Sequence, residues 1–254
     1  ALGRAGPAEG PGFPRPREME AQAREALRGL AERRGEVLAR VERMAPLQGW
    51  KWVRAVTPQE AALAVREVAR KIGCKRVVRT AHPVFSLCPV DTGLEEDGAQ
   101  VVVMAHTPGA PEASRLALRE AAAGADLGLT GVDYLVAETA TAVLLPRQGV
   151  SRLVSLLPPV HIALVEPAQV VETFEDLMVL LRWEGIRGND TRAIYFISGP
   201  SRTGDIEQTI VVGVHGPKEV YLVGIWLFCE RVPWRLSGLA DFFPGDGARP
   251  FPPL

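Results

Sequence analysis

What most constrains this chain is a repeated alternation of short β-branched runs with segments of helical period. Arg76–Arg79, Gln100–Ala105, Val132–Ala137, Ala142–Leu145, His161–Val165, Ala193–Ile197 and Val220–Val223 read as strands. Branched side chains are stiff about χ1 and pack well on a pleated surface. Between them lie Glu112–Ala123, which is Ala-rich, Val170–Trp183, and a helix expected from about Asp205. Strands joined through helices bury both faces of a sheet only when helices cover each side. The expected fold is therefore α/β, an open, mostly parallel sheet with helices on both faces and an N-terminal helical segment.

That N-terminal segment starts at Arg17. Met19, Ala23, Leu27, Leu30, Val37, Val41 and Met44 recur at near-helical spacing, and Glu20→Arg24 and Glu36→Arg40 add i,i+4 pairs. One long amphipathic helix is expected, weakened at Gly29 and Gly35 and ending before Pro46. Its apolar face would lie on the core or on a second subunit. Thr57-Pro58 then opens a second helix with a capping hydroxyl and a proline in its first turn, and Gly73 closes it. Residues 1–16 are Gly, Pro and Ala with little to bury and read as a disordered leader. The domain is expected over 17–228, and 229–254 reads as a Pro/Gly-rich tail that docks on the body or stays mobile.

Composition removes several function classes. With 254 residues, 47% hydrophobic and 23% charged, the chain suits one domain with a sizeable core. A net charge of -1 offers no basic field for nucleic acid, and aromatics do not interleave with a basic stripe. No apolar run approaches the ~20 residues that span a bilayer. No secretory signal is visible, which points to the cytoplasm. Cys74, Cys88 and Cys229 lie far apart, too far for iron–sulfur or zinc spacing, and reduced thiols are expected. His82 and Cys88 come nearest to a ligand pair, with nothing to complete it; no metal and no cofactor is assigned to this chain.

The chemistry concentrates in Ser198-Gly199-Pro200-Ser201-Arg202-Thr203. A strand before it and a helix after it would aim backbone N–H groups at an anion, and Arg202 would add a planar charged fork. Asp205 and Glu207 fall in the expected first helical turn, so the alternative is an internal clasp on Arg202. Glu138 follows an apolar strand and precedes Thr139 and Thr141. Desolvation there would fit it for acid–base or nucleophilic work, whereas hydrogen bonds from the threonines would make it structural. Arg152 and Ser155 form a third cluster offering a second anion contact. His161 and His215 sit where a histidine is more often structural than a general base. No GxSxG elbow and no phosphate-loop lysine are present.

The same residues carry a family resemblance. Ser198–Thr209, then Gly213-Val214-His215-Gly216-Pro217-Lys218-Glu219, is similar to the C-terminal signature of the LUD-domain family, in its lactate utilization protein C subgroup. Thr130–Thr139, Arg152–Pro158 and Pro159–Ala163 agree in order, over roughly residues 17–225. The resemblance implies a sheet like that of phosphosugar isomerases and CoA transferases. It also implies a part in oxidising L-lactate to pyruvate, beside partner subunits that carry the iron–sulfur cysteines. The residues themselves suggest a site for a small carboxylate or phosphorylated ligand, or a partner, with Ser198–Thr203 as N–H donors, Arg202 and Arg152 as clamp and Glu138 as the acid–base group. Fold analogy alone supports a rival, a stand-alone transferase or isomerase on an acyl-CoA or phosphosugar. A third reading is a non-catalytic interaction module docking through its N-terminal helix, the element through which a homo-oligomer would also form. Two departures stand out: Ala140 replaces the usual glycine after Glu-Thr, and the end beyond Cys229 is longer than usual.

Overall fold

A computed structural model of the chain describes residues 16–105, 112–145, 151–186, 193–204 and 210–226. Two helices open it, α1 (Pro16–Glu32) and α2 (Arg34–Leu47). The single long helix expected there is broken at Arg33, between the two glycines, and Pro46 lies inside the last turn of α2. Strand β1 (Lys51–Ala55), unanticipated, comes next, and then α3 (Pro58–Lys71). The Thr57 hydroxyl accepts the N–H of Glu60 at 3.1 Å, and the Glu60 carboxylate reaches back to the N–H of Val56 at 2.7 Å. Gly73, at φ 62, ends the helix as a side chain with a Cβ could not without strain. Thr57→Ala should cost about 1 kcal/mol in chemical denaturation, since it orphans one N–H of the first turn. An unchanged midpoint would mean the cap contributes nothing.

The chain then alternates as expected through β2 (Arg76–Arg79), the short helices α4 (Val84–Leu87) and α5 (Val90–Glu96), β3 (Gln100–Val103), α6 (Glu112–Ala123) and β4 (Leu127–Gly131). A hairpin follows, β5 (Tyr134–Val136) and β6 (Thr141–Leu144), before α7 (Leu153–Leu156), β7 (Val160–Val165) and β8 (Val170–Val171). The helix read from Val170 starts only at Phe174, as α8 (Phe174–Ile186), because Val170 and Val171 extend and pair with β5. Last come β9 (Tyr195–Ile197), β10 (Arg202–Gly204), β11 (Ile210–Val212) and β12 (Glu219–Ile225).

Six strands form one sheet in the order β1-β12-β7-β4-β2-β3, every neighbouring pair parallel. Alternation along β7 sorts the core. Val160, Ile162 and Leu164 face a layer containing α3, α4 and α5, while Ala163 and Val165 face α1, α2, α8 and the hairpin strands. Each fully buried branched side chain of this kind stabilises the fold by ~1.5–3 kcal/mol. A smaller mixed sheet, β8-β5-β6-β9, stands on the second side. Gln100–Val103 is an edge strand with exposed ends. The apolar face of α1 (Ala23, Leu27, Leu30) is spent on this chain's own core, which removes that face as a subunit or partner surface. The expected leader, save Pro16, and tail lie outside the described residues, as do Asp205, Glu207 and Cys229.

Candidate functional site

The helix expected from about Asp205 would begin in residues 205–209, which lie outside the described residues, and the stretch it would reach, Ile210–Val212, is a strand. Arg202–Gly204 pairs antiparallel with Ile210–Val212, so the Ser198–Thr203 turn joins one strand to another. Ile210, Val211 and Val212 are β-branched in succession, a pattern that favours an extended chain over a helix. The turn therefore leads into a strand rather than directly into a helix N-terminus. It also follows β9, a strand of the mixed sheet, rather than a carboxyl end of the parallel sheet.

What holds the turn is backbone contact with the α2–β1 connection. Gly199, at φ 121, lies so close to the Gln48 carbonyl that a Cβ there would sit 2.2 Å from it. Arg202 is exposed and donates from Nη2 to the same Gln48 carbonyl at 3.2 Å. Pro200 packs beside Gly49, which itself has φ 89. Ser201 ties the turn to the stretch after β11: its N–H donates to Pro217 O, its carbonyl accepts from Gly213, and its hydroxyl accepts from the N–H of His215. His215 is exposed.

Ser198 belongs to a line of hydroxyls. Its Oγ lies 2.8 Å from Thr141 Oγ1, which lies 2.8 Å from Thr139 Oγ1. Thr141 is fully buried, Thr139 half-buried and Ser198 exposed. Three hydroxyls in a row use two of their protons on one another. The third proton and the end lone pairs are free to meet a hydroxyl or carboxylate.

Trp50 connects this line to the parallel sheet. Its Nε1 donates to Ala140 O at 2.9 Å, and its ring lies 6.4 Å from that of His161 on β7. Ala140 holds φ 46, the left-handed region that suits the glycine expected there. His161 is fully buried, with Nε2 2.9 Å from Thr130 Oγ1, and burial pushes its pKa down to about 3. It is a neutral imidazole at pH 7.

The other predicted residues are held by other partners. Glu138 is half-buried, and its Oε1 accepts the N–H of Phe174 at 2.8 Å, capping α8. The threonines beside it bond to each other and to Ser198, so the helix, not the hydroxyls, is its structural partner. Arg152 donates to the Tyr195 hydroxyl at 2.9 Å and stacks on that ring, and Ser155 is buried with its hydroxyl on Arg152 O. Neither is joined to Arg202. Missed from sequence were Gln48, Trp50 and Thr130. The signal for Thr130 was a hydroxyl inside Leu127–Gly131, a run apolar enough to be buried throughout.

Together these features describe an open α/β sheet protein whose polar centre is built where a small mixed sheet meets the parallel one. A LUD domain model matches residues 38–225, and the chain belongs to the LUD-domain family. It is similar to Lactate utilization protein C of Halalkalibacterium halodurans, 36% identical over 162 residues, 63% of this chain and 67% of that protein. It is also similar to the protein of that name from Bacillus pumilus, 34% identical over 172 residues, 66% and 70% of the two chains. A match to the one from Exiguobacterium reaches 43% over 117 residues but spans only 48% of that protein. A DUF162 family protein from Deinococcus radiodurans shares the fold, with a TM-score of 0.52 at 22% identity, covering 75% of this chain and 97% of that one. Among the described residues, no helix is long and apolar enough to cross a membrane.

Proposed function

We propose that this chain is a cytoplasmic subunit of a system that oxidises L-lactate to pyruvate, working with iron–sulfur partner subunits. The observation that carries this reading is the 36% identity across 162 residues to a protein named Lactate utilization protein C. In this reading the hydroxyl line Thr139–Thr141–Ser198 meets the hydroxyl or carboxylate of a small acid, and the unused donors of the Arg202 guanidinium take its carboxylate. Glu138 serves as the acid–base group through its second carboxylate oxygen. Oxidising lactate removes two electrons, and the proposal assigns their acceptor to the partner subunits.

The test is growth on L-lactate of a Bacillus pumilus strain lacking its Lactate utilization protein C, supplied with this chain. Wild type should restore growth. Arg202→Ala and Ser198→Ala should each impair it. Glu138→Gln should do so at unchanged melting temperature, because the amide oxygen still accepts the Phe174 N–H. A chain expressed in soluble form that restores nothing would sink the proposal.

A further inference from the structure

The end of α2 runs into a connector of three residues, Gln48-Gly49-Trp50, locked to the helix by its own backbone. Gln48 donates its N–H to Met44 O at 3.1 Å, Gly49 to Pro46 O at 3.0 Å and Trp50 to Ala45 O at 3.0 Å. Two separate turns rest on this connector. The Ser198–Arg202 turn meets it at Gln48, whose carbonyl accepts from Arg202 Nη2. The β5–β6 turn, residues 137–140, meets it at Trp50, whose Nε1 donates to Ala140 O at 2.9 Å in a buried bond.

Strand pairing does not hold these turns in place. β6 and β9 pair as far as Ala142↔Ile197, which brings Thr141 beside Ser198, and Thr139 and Arg202 lie beyond the end of that ladder. The entry side of the β5–β6 turn is held by β8 and its neighbour: Ala137 donates its N–H to Val171 O and Glu138 to Glu172 O. The exit side is Ala140, at φ 46, the one non-glycine residue with positive φ among the described residues. A residue with a Cβ avoids this left-handed backbone by a factor of about 5–30. The indole N–H fixes the peptide plane that follows Ala140 and so offsets that preference. Without it, Ala140 would relax, Thr139 would swing away from Thr141, and the hydroxyl line would lose one end.

We infer that Trp50 is a positioning residue for the small-acid site, acting through the strained turn at Ala140. Its N–H keeps Thr139 within 2.8 Å of Thr141, and Thr141 within reach of Ser198 completes the line. Two residues earlier, the Gln48 carbonyl holds Arg202 at the other end. One connector thus sets the spacing between the hydroxyls and the guanidinium, and a shift of about 1 Å in such a spacing costs a site on the order of 100-fold in rate. This inference rests on the reading of the hydroxyl line and Arg202 as the place where a small acid binds.

Growth of the complemented strain on L-lactate, paired with crystal structures of the variants, tests it. Trp50→Phe keeps an aromatic ring against His161 and removes the N–H. It should slow growth about fivefold or more, the loss expected for one buried hydrogen bond. In its structure Ala140 should leave the left-handed region and Thr139 should part from Thr141. Adding Ala140→Gly should restore both growth and the hydroxyl line, because glycine holds that backbone without the bond. Adding Gly35→Ala instead regains a similar stability at the far end of α2, where a Cβ meets nothing within 4 Å, and should restore neither. A merely structural tryptophan would be rescued equally by both. Gly49→Ala tests the connector without thinning the core: its Cβ would lie 2.5 Å from Arg202 Nη2 and 3.0 Å from Pro200 Cδ, so Arg202 should move and growth should slow. The inference is overturned if Ala140 keeps its conformation in Trp50→Phe, if Gly35→Ala rescues as fully as Ala140→Gly, or if Gly49→Ala grows like wild type. If wild type itself restores no growth, the lactate reading fails, and the crystal structures still decide the role of Trp50.

Discussion

Gly128→Ala should destabilise this protein by about 3 kcal/mol or more, toward or beyond the upper end for overpacking a core. Gly128 sits in the middle of β4, and a Cβ there would lie 1.9 Å from the backbone carbonyl of Val154 in α7. A clashing side-chain tip can swing away at little cost. A carbonyl within a helix cannot, so α7 must lift from the sheet and take Val154, Leu153 and their contacts with Met104 along. Against a typical total of ~5–15 kcal/mol that is a large fraction of the fold's stability. Gly35→Ala is the control: a Cβ there meets nothing within 4 Å, and the change should stabilise α2 by up to about 1 kcal/mol. Urea denaturation of the two variants should move in opposite directions. A Gly128→Ala protein within 1 kcal/mol of wild type would show that α7 does not rest on β4 as described.

The second large effect is a pH dependence owed to His161. The imidazole is held neutral by burial, with its pKa lowered to about 3 from an ordinary 6.5. Below pH 6.5 the unfolded chain takes up a proton at this residue and the folded one does not. Stability from this residue is thus fully present above pH 6.5 and is lost as pH falls from there toward about 3, by ~1.4 kcal/mol per pH unit. By pH 5, before most carboxylates begin to protonate, the loss should be on the order of 2 kcal/mol. Unfolding free energies at pH 7.5 and pH 5 should therefore differ by about that amount in wild type. The difference should vanish in His161→Gln, which is itself less stable at both values. If the two proteins share one slope, His161 is charged or solvated in the fold and the buried assignment fails. The chemistry accounts for the sensitivity: Nε2 is satisfied by Thr130, while among the described residues Nδ1 has no partner and no carboxylate stands by to stabilise a second proton.

How far the sequence spoke for itself differs between fold and site. The parallel sheet was legible because its strands carry their own signature. Val77-Val78, Val101-Val102-Val103 and Ile162–Val165 are branched and apolar on both faces, and Thr57-Pro58 with Gly73 brackets α3 at both ends. Two failures share one cause. Val170-Val171 ran smoothly into a helical pattern, and Arg202–Gly204 ran into a segment read as a helix start. In both, the deciding partner lies elsewhere in the chain: β5, 35 residues before Val170 and Val171, and β11 across the hairpin. Short polar or mixed runs have little preference of their own, so pairing decides them.

The site divides along the same line. Composition and local pattern by themselves determined an α/β domain without a basic field or cysteine cluster and a polar turn at Ser198–Arg202, because each depends on residue type and near neighbours. Only the tertiary structure decided that Ser198 completes a hydroxyl line with Thr139 and Thr141, that Trp50 reaches both Ala140 and His161, and that Glu138 caps α8. A hydrogen bond acts over about 3 Å, and no local pattern records which distant residues will be brought within that reach.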